Sequence, residues 1–145
     1  MRGVLRGLGT TLRTHFSKPV TIQYPDEKAP LAERFRGFPA LLWDDEVGES
    51  KCTGCATCAR SCPTQVIKVT AKDNEKFQEG KSKRRRIVDS YFLNLAGCIQ
   101  CGICVEVCPF DANEMSHVHE LADYSREGLV LDVERLHRMS KSKGR

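Results

Sequence analysis

Apolar positions recur along this chain in more than one rhythm. Near the N-terminus, at 100° per residue, Val4, Leu5, Leu8, Leu12 and Phe16 fall within a sector of about 120°, with Arg2, Arg6 and Arg13 clustered beyond its edge. That pattern predicts an amphipathic helix with a basic border. Gly3, Gly7 and Gly9 each cost it about 1 kcal/mol of helix propensity, so it needs a surface to fold against. Residues 66–71 (VIKVTA) and 91–95 (YFLNL) alternate instead with period two and predict short strands. Between them, residues 72–86 are polar and charged and end in KSKRRR, which predicts an exposed loop. Leu129, Val133 and Leu136 return to helical spacing ahead of a basic ending, which predicts a short C-terminal helix.

Composition changes this picture by subtraction. A chain of 145 residues suits one domain, but only 34 of them are Ile, Leu, Val or Phe, too few for a thick aliphatic core. Something besides packing must hold the centre together. No apolar run approaches the length of a membrane-spanning helix, and the first residues lack the continuous apolar centre of a secretory signal. With nothing pointing to export, the eight cysteines read as metal ligands before they read as disulfides.

Their spacing makes that reading specific. Cys52, Cys55, Cys58 and Cys62 form C-x2-C-x2-C-x3-C followed by Pro63, and Cys98, Cys101, Cys104 and Cys108 repeat it 46 residues later, followed by Pro109. Three thiolates at intervals of three residues let one tight loop wrap three corners of an iron-sulfur cube, with backbone N–H groups left to bond its sulfides; Gly54 and Gly102 suit such loops. Two zinc sites or a disulfide scaffold fit less well, because a zinc ribbon uses two separated pairs and has no use for a third and fourth cysteine this close. The motif resembles two-cluster ferredoxins, in which the fourth cysteine of each motif ligates the other cluster. Carried over, the resemblance implies one 4Fe-4S cluster on Cys52, Cys55, Cys58 and Cys108 and another on Cys98, Cys101, Cys104 and Cys62.

More of the chain matches a narrower family. RFRGFPALL at 34–42, GLGTTLRTHFSKPVTIQYPDEK at 7–28, and CIQCGICVEVCPFDA running on into MSHVHELADYSREGLV resemble subunit I of respiratory complex I, the NADH:quinone oxidoreductase. The likeness covers nearly the whole chain. It implies an electron-relay subunit with two 4Fe-4S clusters and no catalytic residues of its own, passing single electrons from an upstream iron-sulfur subunit to the neighbouring subunit whose terminal cluster reduces quinone. The whole complex couples this to ion translocation, and a membrane-arm subunit is the third expected partner. The same subunit in a ferredoxin-fed relative, or a free soluble ferredoxin, are the alternative readings.

The resulting expectation is an α+β chain with a ferredoxin-like core and helical extensions: residues 1–50 an N-terminal amphipathic helix and extended docking segment, 51–118 the two-cluster domain, and 119–145 a C-terminal docking extension. The basic stretches at 1–24, 81–86 and 135–145 leave 9 basic residues against all 19 acidic ones, a body of net charge −10. The first stretch suits a membrane surface or a membrane subunit; without interleaved aromatics, KSKRRR does not suggest nucleic acid. The location expected is peripheral, on the cytoplasmic side of the cell inner membrane, with the mitochondrial matrix side as the less favoured alternative, in keeping with family-like sequence directly after Met1.

Individual residues carry smaller expectations. Lys51, Arg60 and Lys68 lie close in sequence to the first motif, where positive charge favours a reduced cluster. His117, His119 and His137 read as surface or packed side chains. Gly7-Leu8-Gly9 has no preceding strand and assigns no dinucleotide site. Thr53 and Asn113 stand where the family would have aliphatic residues, and the 72–86 loop is long for it.

Overall fold

The computed structural model describes residues 2–140, so Met1 and the basic tail at 141–145 lie outside the described residues. The chain divides after Leu31 into two units. In the first, α1 (Arg2–His15) is the amphipathic helix that the sequence pattern predicts, and Val4, Leu5, Leu8 and Leu12 are exposed on it. Thr10, Thr11 and Thr14 turn their hydroxyls back onto carbonyls one turn earlier, so they need no outside partner. Among the described residues no helix is long and apolar enough to cross a membrane.

The second unit, from Ala32 onward, is built from the repeat. Residues 32–50, expected within a docking segment, supply it with three strands, β1 (Pro39–Leu41), β2 (Trp43–Asp44) and β3 (Glu49–Ser50). The first cysteine motif carries α2 (Thr57–Ser61) and runs into β4 (Ile67–Asp73); α3 (Glu75–Gln78) follows, then β5 (Arg86–Asn94). The second motif carries α4 (Ile103–Glu106) and runs into β6 (Asn113–Met115), and β7 (Val130–Leu131) and α5 (Val133–Ser140) end the chain.

Pairing crosses between the repeats. β1, which leads into the first motif, pairs antiparallel with β6, which leaves the second, while β5, leading into the second motif, pairs with β4, leaving the first. Each half therefore closes the other half's sheet. The β4–β5 ladder shifts register between Thr70 and Ala71, opposite Asp89, which has no residue across from it. This bulge turns Val88 and Tyr91, three residues apart, to the same buried side, where plain alternation would separate them.

Leu41, Tyr91, Leu93, Leu131 and Leu136 are almost completely buried. Each leucine contributes about 1.5–3 kcal/mol by leaving water. The C-terminal prediction needs correction here: Leu129 ends a short 3-10 turn, Val130 and Leu131 add a strand beside β5, and only then does the helix begin. Asp132 explains the starting point, its carboxylate accepting from the Arg135 N–H at 2.8 Å as an N-cap. Leu136 and Met139 of α5 are buried, and the helix packs on β1 within this unit.

Residues 72–86 also differ from the expected exposed loop. β4 extends to Asp73, α3 occupies the middle, β5 starts at Arg86, and Asn74 and Ser82 are buried. The sequence reads as polar because the segment folds around polar groups. Asn74 Nδ2 donates to Glu49 Oε2 at 3.0 Å, to Ser82 Oγ at 3.2 Å and to the Arg84 carbonyl at 2.9 Å, while its Oδ1 accepts from the Lys76 N–H as the cap of α3. Arg84 bridges Glu49 and Asp44, and Lys76 Nζ donates to the Val47 and Gly48 carbonyls. This network ties the β4–β5 connection to the β2–β3 hairpin through groups hydrogen-bonded on nearly every side.

Burial alone would raise the Glu49 carboxyl, but hydrogen bonds from Ser82, Asn74 and Arg84 outweigh it and hold the group below its ordinary 4.5. The folded state therefore favours the carboxylate. Its stabilising contribution is complete above about pH 4.5 and is lost as pH falls through the depressed folded value. Glu49→Gln is expected to cost about 1–3 kcal/mol at pH 7. In anaerobic urea titrations the gap between wild type and variant should stay constant down to about pH 5.5 and shrink below about pH 4.5.

Candidate iron-sulfur centre

The two cysteine loops share one backbone conformation. Gly54 and Gln100, Ala56 and Gly102, and Gln65 and Asp111 all have positive φ, and each pair is separated by the 46-residue repeat offset. The non-glycine residues at positive φ among the described residues, Ala56, Gln65, Gln100 and Asp111, all belong to this set. A side chain in that region costs about 1–2 kcal/mol, so the strain is concentrated where the cysteines turn inward. Ala56 and Gly102 immediately precede α2 and α4, which lie against each other and carry Cys58 and Cys104.

Two recesses open between these loops. One, of about 290 Å³ including its open mouth, is lined by Cys52, Cys55, Cys58 and Cys108 together with Thr53, Thr57, Val69 and Phe110. The other, of about 370 Å³ on the same measure, is lined by Cys62, Cys98, Cys101 and Cys104, with Val66, Leu93, Ile99, Ile103 and Met115 around them. Each draws three cysteines from one motif and the fourth from the other. Neither lining contains a histidine or a carboxylate, and four cysteine thiols are the ionisable donors each offers, the set that suits iron-sulfur clusters.

Further observations fit such an occupant. Thr53 Oγ1 is buried beside the first recess and has no hydrogen-bond partner, a state that a sulfur acceptor in the recess would relieve. Gly54 N–H points to Cys52 Sγ and Ala112 N–H to Cys108 Sγ, both at 3.4 Å, as donors should around thiolate ligands. Added at Gly54, a Cβ would lie 2.5 Å from that of Ala71, so this loop sits directly on β4.

Burial pushes the Cys52 thiol up to about 11 and Cys104 up to about 12, the latter also through nearby Cys58. Cys58 and Cys98 are raised for the same leading reason. At Cys55 and Cys62 burial is outweighed, by Thr57 and Thr64 respectively with nearby backbone N–H groups, and their thiols lie below the ordinary value. Loading thiols such as Cys52 and Cys104 with metal must therefore release protons. Tyr91, nearly fully buried, sits between the two helices' thiols with its hydroxyl 3.8 Å from Cys58 Sγ, and burial together with the neighbouring cysteines keeps the phenol protonated.

The other singled-out residues fall around this centre. Arg60 donates to Thr57 Oγ1, whereas Lys68 stands exposed on β4 and Lys51 is half-buried beside Cys52. Asn113 is buried and donates to the Cys104 carbonyl at 3.2 Å, which accounts for a polar residue at this place. His117 and His119 pack edge-on against Phe35, and His137 lies over Trp43, so none of the three lines a recess. Tyr91, Thr57 and Thr64 are contacts that motif spacing does not reveal. For Thr57 a signal existed, since aligning the repeat sets it opposite Ile103.

Residues 51–112 match the 4Fe-4S dicluster domain family. A Geobacter metallireducens protein named NADH-quinone oxidoreductase subunit I 2 is 38% identical over 92% of this chain and 95% of its own length. The chain belongs to the NADH-quinone oxidoreductase subunit I family. A second relative of that name, from Symbiobacterium thermophilum, is 33% identical across 95% of this chain, which spans only 55% of that protein's length. One solved structure, of the membrane-bound sulfane sulfur reductase described as an archaeal respiratory membrane complex, contains a chain 28% identical with a TM-score of 0.52, covering 81% of this chain and 55% of that one. Membership in the subunit I family and the dicluster match assign two 4Fe-4S clusters to the chain.

Gly54 and Gly80 provide a controlled comparison, because both have φ near +70° but only Gly54 faces a neighbour. Gly80→Ala should cost about 1 kcal/mol from the backbone alone. Gly54→Ala should cost more and lower iron per chain, measurable by thermal unfolding and iron assay of anaerobically purified protein.

Proposed function

We propose that this chain is the electron-relay subunit of a membrane-bound NADH:quinone oxidoreductase, passing single electrons from an upstream iron-sulfur subunit towards the subunit whose terminal cluster reduces quinone. Ion translocation belongs to the complex as a whole. The observation that carries this reading is the pair of recesses, each lined by three cysteines of one motif and the fourth of the other. In it, Cys52, Cys55, Cys58 and Cys108 hold the first cluster and Cys98, Cys101, Cys104 and Cys62 the second. When bound, the clusters supply one-electron redox chemistry.

The chain's own residues then have limited tasks. Eight thiolates fill the iron sites and leave none open to a substrate, and the recess linings offer no carboxylate, histidine or lysine for acid-base work. Loop N–H groups bond the ligand sulfurs, and Val69, Leu93 and Met115 keep water from the linings. α1, with its exposed apolar stripe and Arg2, Arg6 and Arg13, docks on the membrane side, against lipid headgroups or a membrane subunit. In this reading the chain is peripheral, and we place it on the cytoplasmic face.

Detergent purification from native membranes under anaerobic conditions tests the assembly. Co-purification with flavin-bearing, NADH-oxidising subunits is expected; quinone-reducing and membrane subunits without that module would point to a ferredoxin-fed relative, and a lone soluble protein would overturn the reading. Crossed ligation makes its own prediction. Cys108→Ser should perturb the EPR signal of the cluster held by the first motif, and loss of only the other signal would refute the assignment. Removing residues 2–16 should release the subunit from membranes while leaving eight irons per chain, a stoichiometry that follows from two 4Fe-4S clusters.

A further inference from the structure

The repeat is symmetric in its cysteines but not in what faces them. At the 46-residue offset, Thr53 corresponds to Ile99 and Thr57 to Ile103, so the recess lined by Cys52 and Cys55 presents hydroxyls where the other presents hydrocarbon. Tyr91 adds a third hydroxyl on the same side, 3.8 Å from Cys58 Sγ. It shares the buried side of β5 with Leu93 by plain alternation. The aliphatic recess has Thr64 near Cys62 at 3.6 Å and no counterpart of Thr53 or Tyr91.

Donor and acceptor roles follow from the surroundings. Arg60 Nη2 donates to Thr57 Oγ1 at 3.3 Å, which leaves the Thr57 hydrogen for Cys55 Sγ, also at 3.3 Å. A ligating thiolate has no proton and can only accept. Thr53 Oγ1 is buried with no protein partner, and burying an unbonded hydroxyl is costly, so its place beside this recess calls for an acceptor within it. We propose that Thr53, Thr57 and Tyr91 donate O–H···S hydrogen bonds to the cluster held by Cys52, Cys55, Cys58 and Cys108, Thr53 to its sulfide and the others to ligand sulfurs, and so raise its reduction potential. Hydrogen bonds to sulfur stabilise the reduced, more negative state.

All three are positioning residues, with no part in holding iron. The inference rests on the two-cluster assignment, and its test separates the two. Wild type should bind eight irons per chain and show two EPR signals on reduction with dithionite; if it does not, the cluster assignment fails first. Given both signals, Tyr91→Phe and Thr53→Val should each lower the midpoint potential of one signal in an EPR-monitored redox titration, the double variant should lower it further, and Thr53→Ser should restore it. The moved signal must be the one altered by Cys55→Ser. Each hydroxyl removed should also delete an exchangeable-proton coupling from the ENDOR spectrum of that cluster. Unchanged potentials in loaded variants, or a shift confined to the other signal, would overturn the proposal. Should Tyr91→Phe fail to assemble, the Thr53 pair decides alone.

Discussion

The crossing of the two repeats is the constraint from which the rest of this structure follows. A strand–loop–helix–strand unit cannot close its own sheet here, because β1 finds its partner in β6 and β4 finds its partner in β5. Neither half is complete without the other. The same exchange brings Cys108 beside the first motif's loop and Cys62 beside the second's, so each recess is lined across the duplication. Backbone pairing and thiol placement impose the same topology, which lets a chain with few aliphatic residues define one arrangement.

Strain is then confined to where it serves. The loops hold Ala56, Gln65, Gln100 and Asp111 in left-handed conformations at matching places in both repeats. An unconstrained chain would abandon such geometry, since each residue costs about 1–2 kcal/mol. Crossed strands on both sides hold the loops, and binding free energy from the clusters repays what remains. The same economy governs the 74–86 segment, where a buried carboxylate is tolerated because Ser82, Asn74 and Arg84 surround it.

Legibility in the sequence follows the range of the interaction. α1 was readable because its apolar stripe repeats within a single helix, and the cysteine loops because ligand spacing is a local requirement. β4 and β5 were readable in their alternating stretches, but not in the portion at 86–90, where charged residues flank the buried Val88 and a bulge breaks the period. The 72–86 segment misleads for a physical reason: polarity signals exposure only when polar groups have no partners, and Glu49, one acceptor of the Asn74 amide, lies 25 residues upstream. Leu129 misleads similarly, its helical spacing to Val133 being interrupted by a strand that exists only because β5 offers an edge.

Two polar residues beside the first recess, Asn113 and Thr53, are the most informative places in the chain. Asn113 is buried, and its amide ties β6 to the carbonyl of Cys104. The Thr53 hydroxyl is buried without a protein partner. The first is explained inside the protein. The second is not, and an unsatisfied buried donor next to four thiols points to an acceptor in the recess. Duplication gives two equal ligand sets; a hydroxyl-rich lining on one side and an aliphatic lining on the other is how one chain makes two sites of the same composition differ in electron affinity.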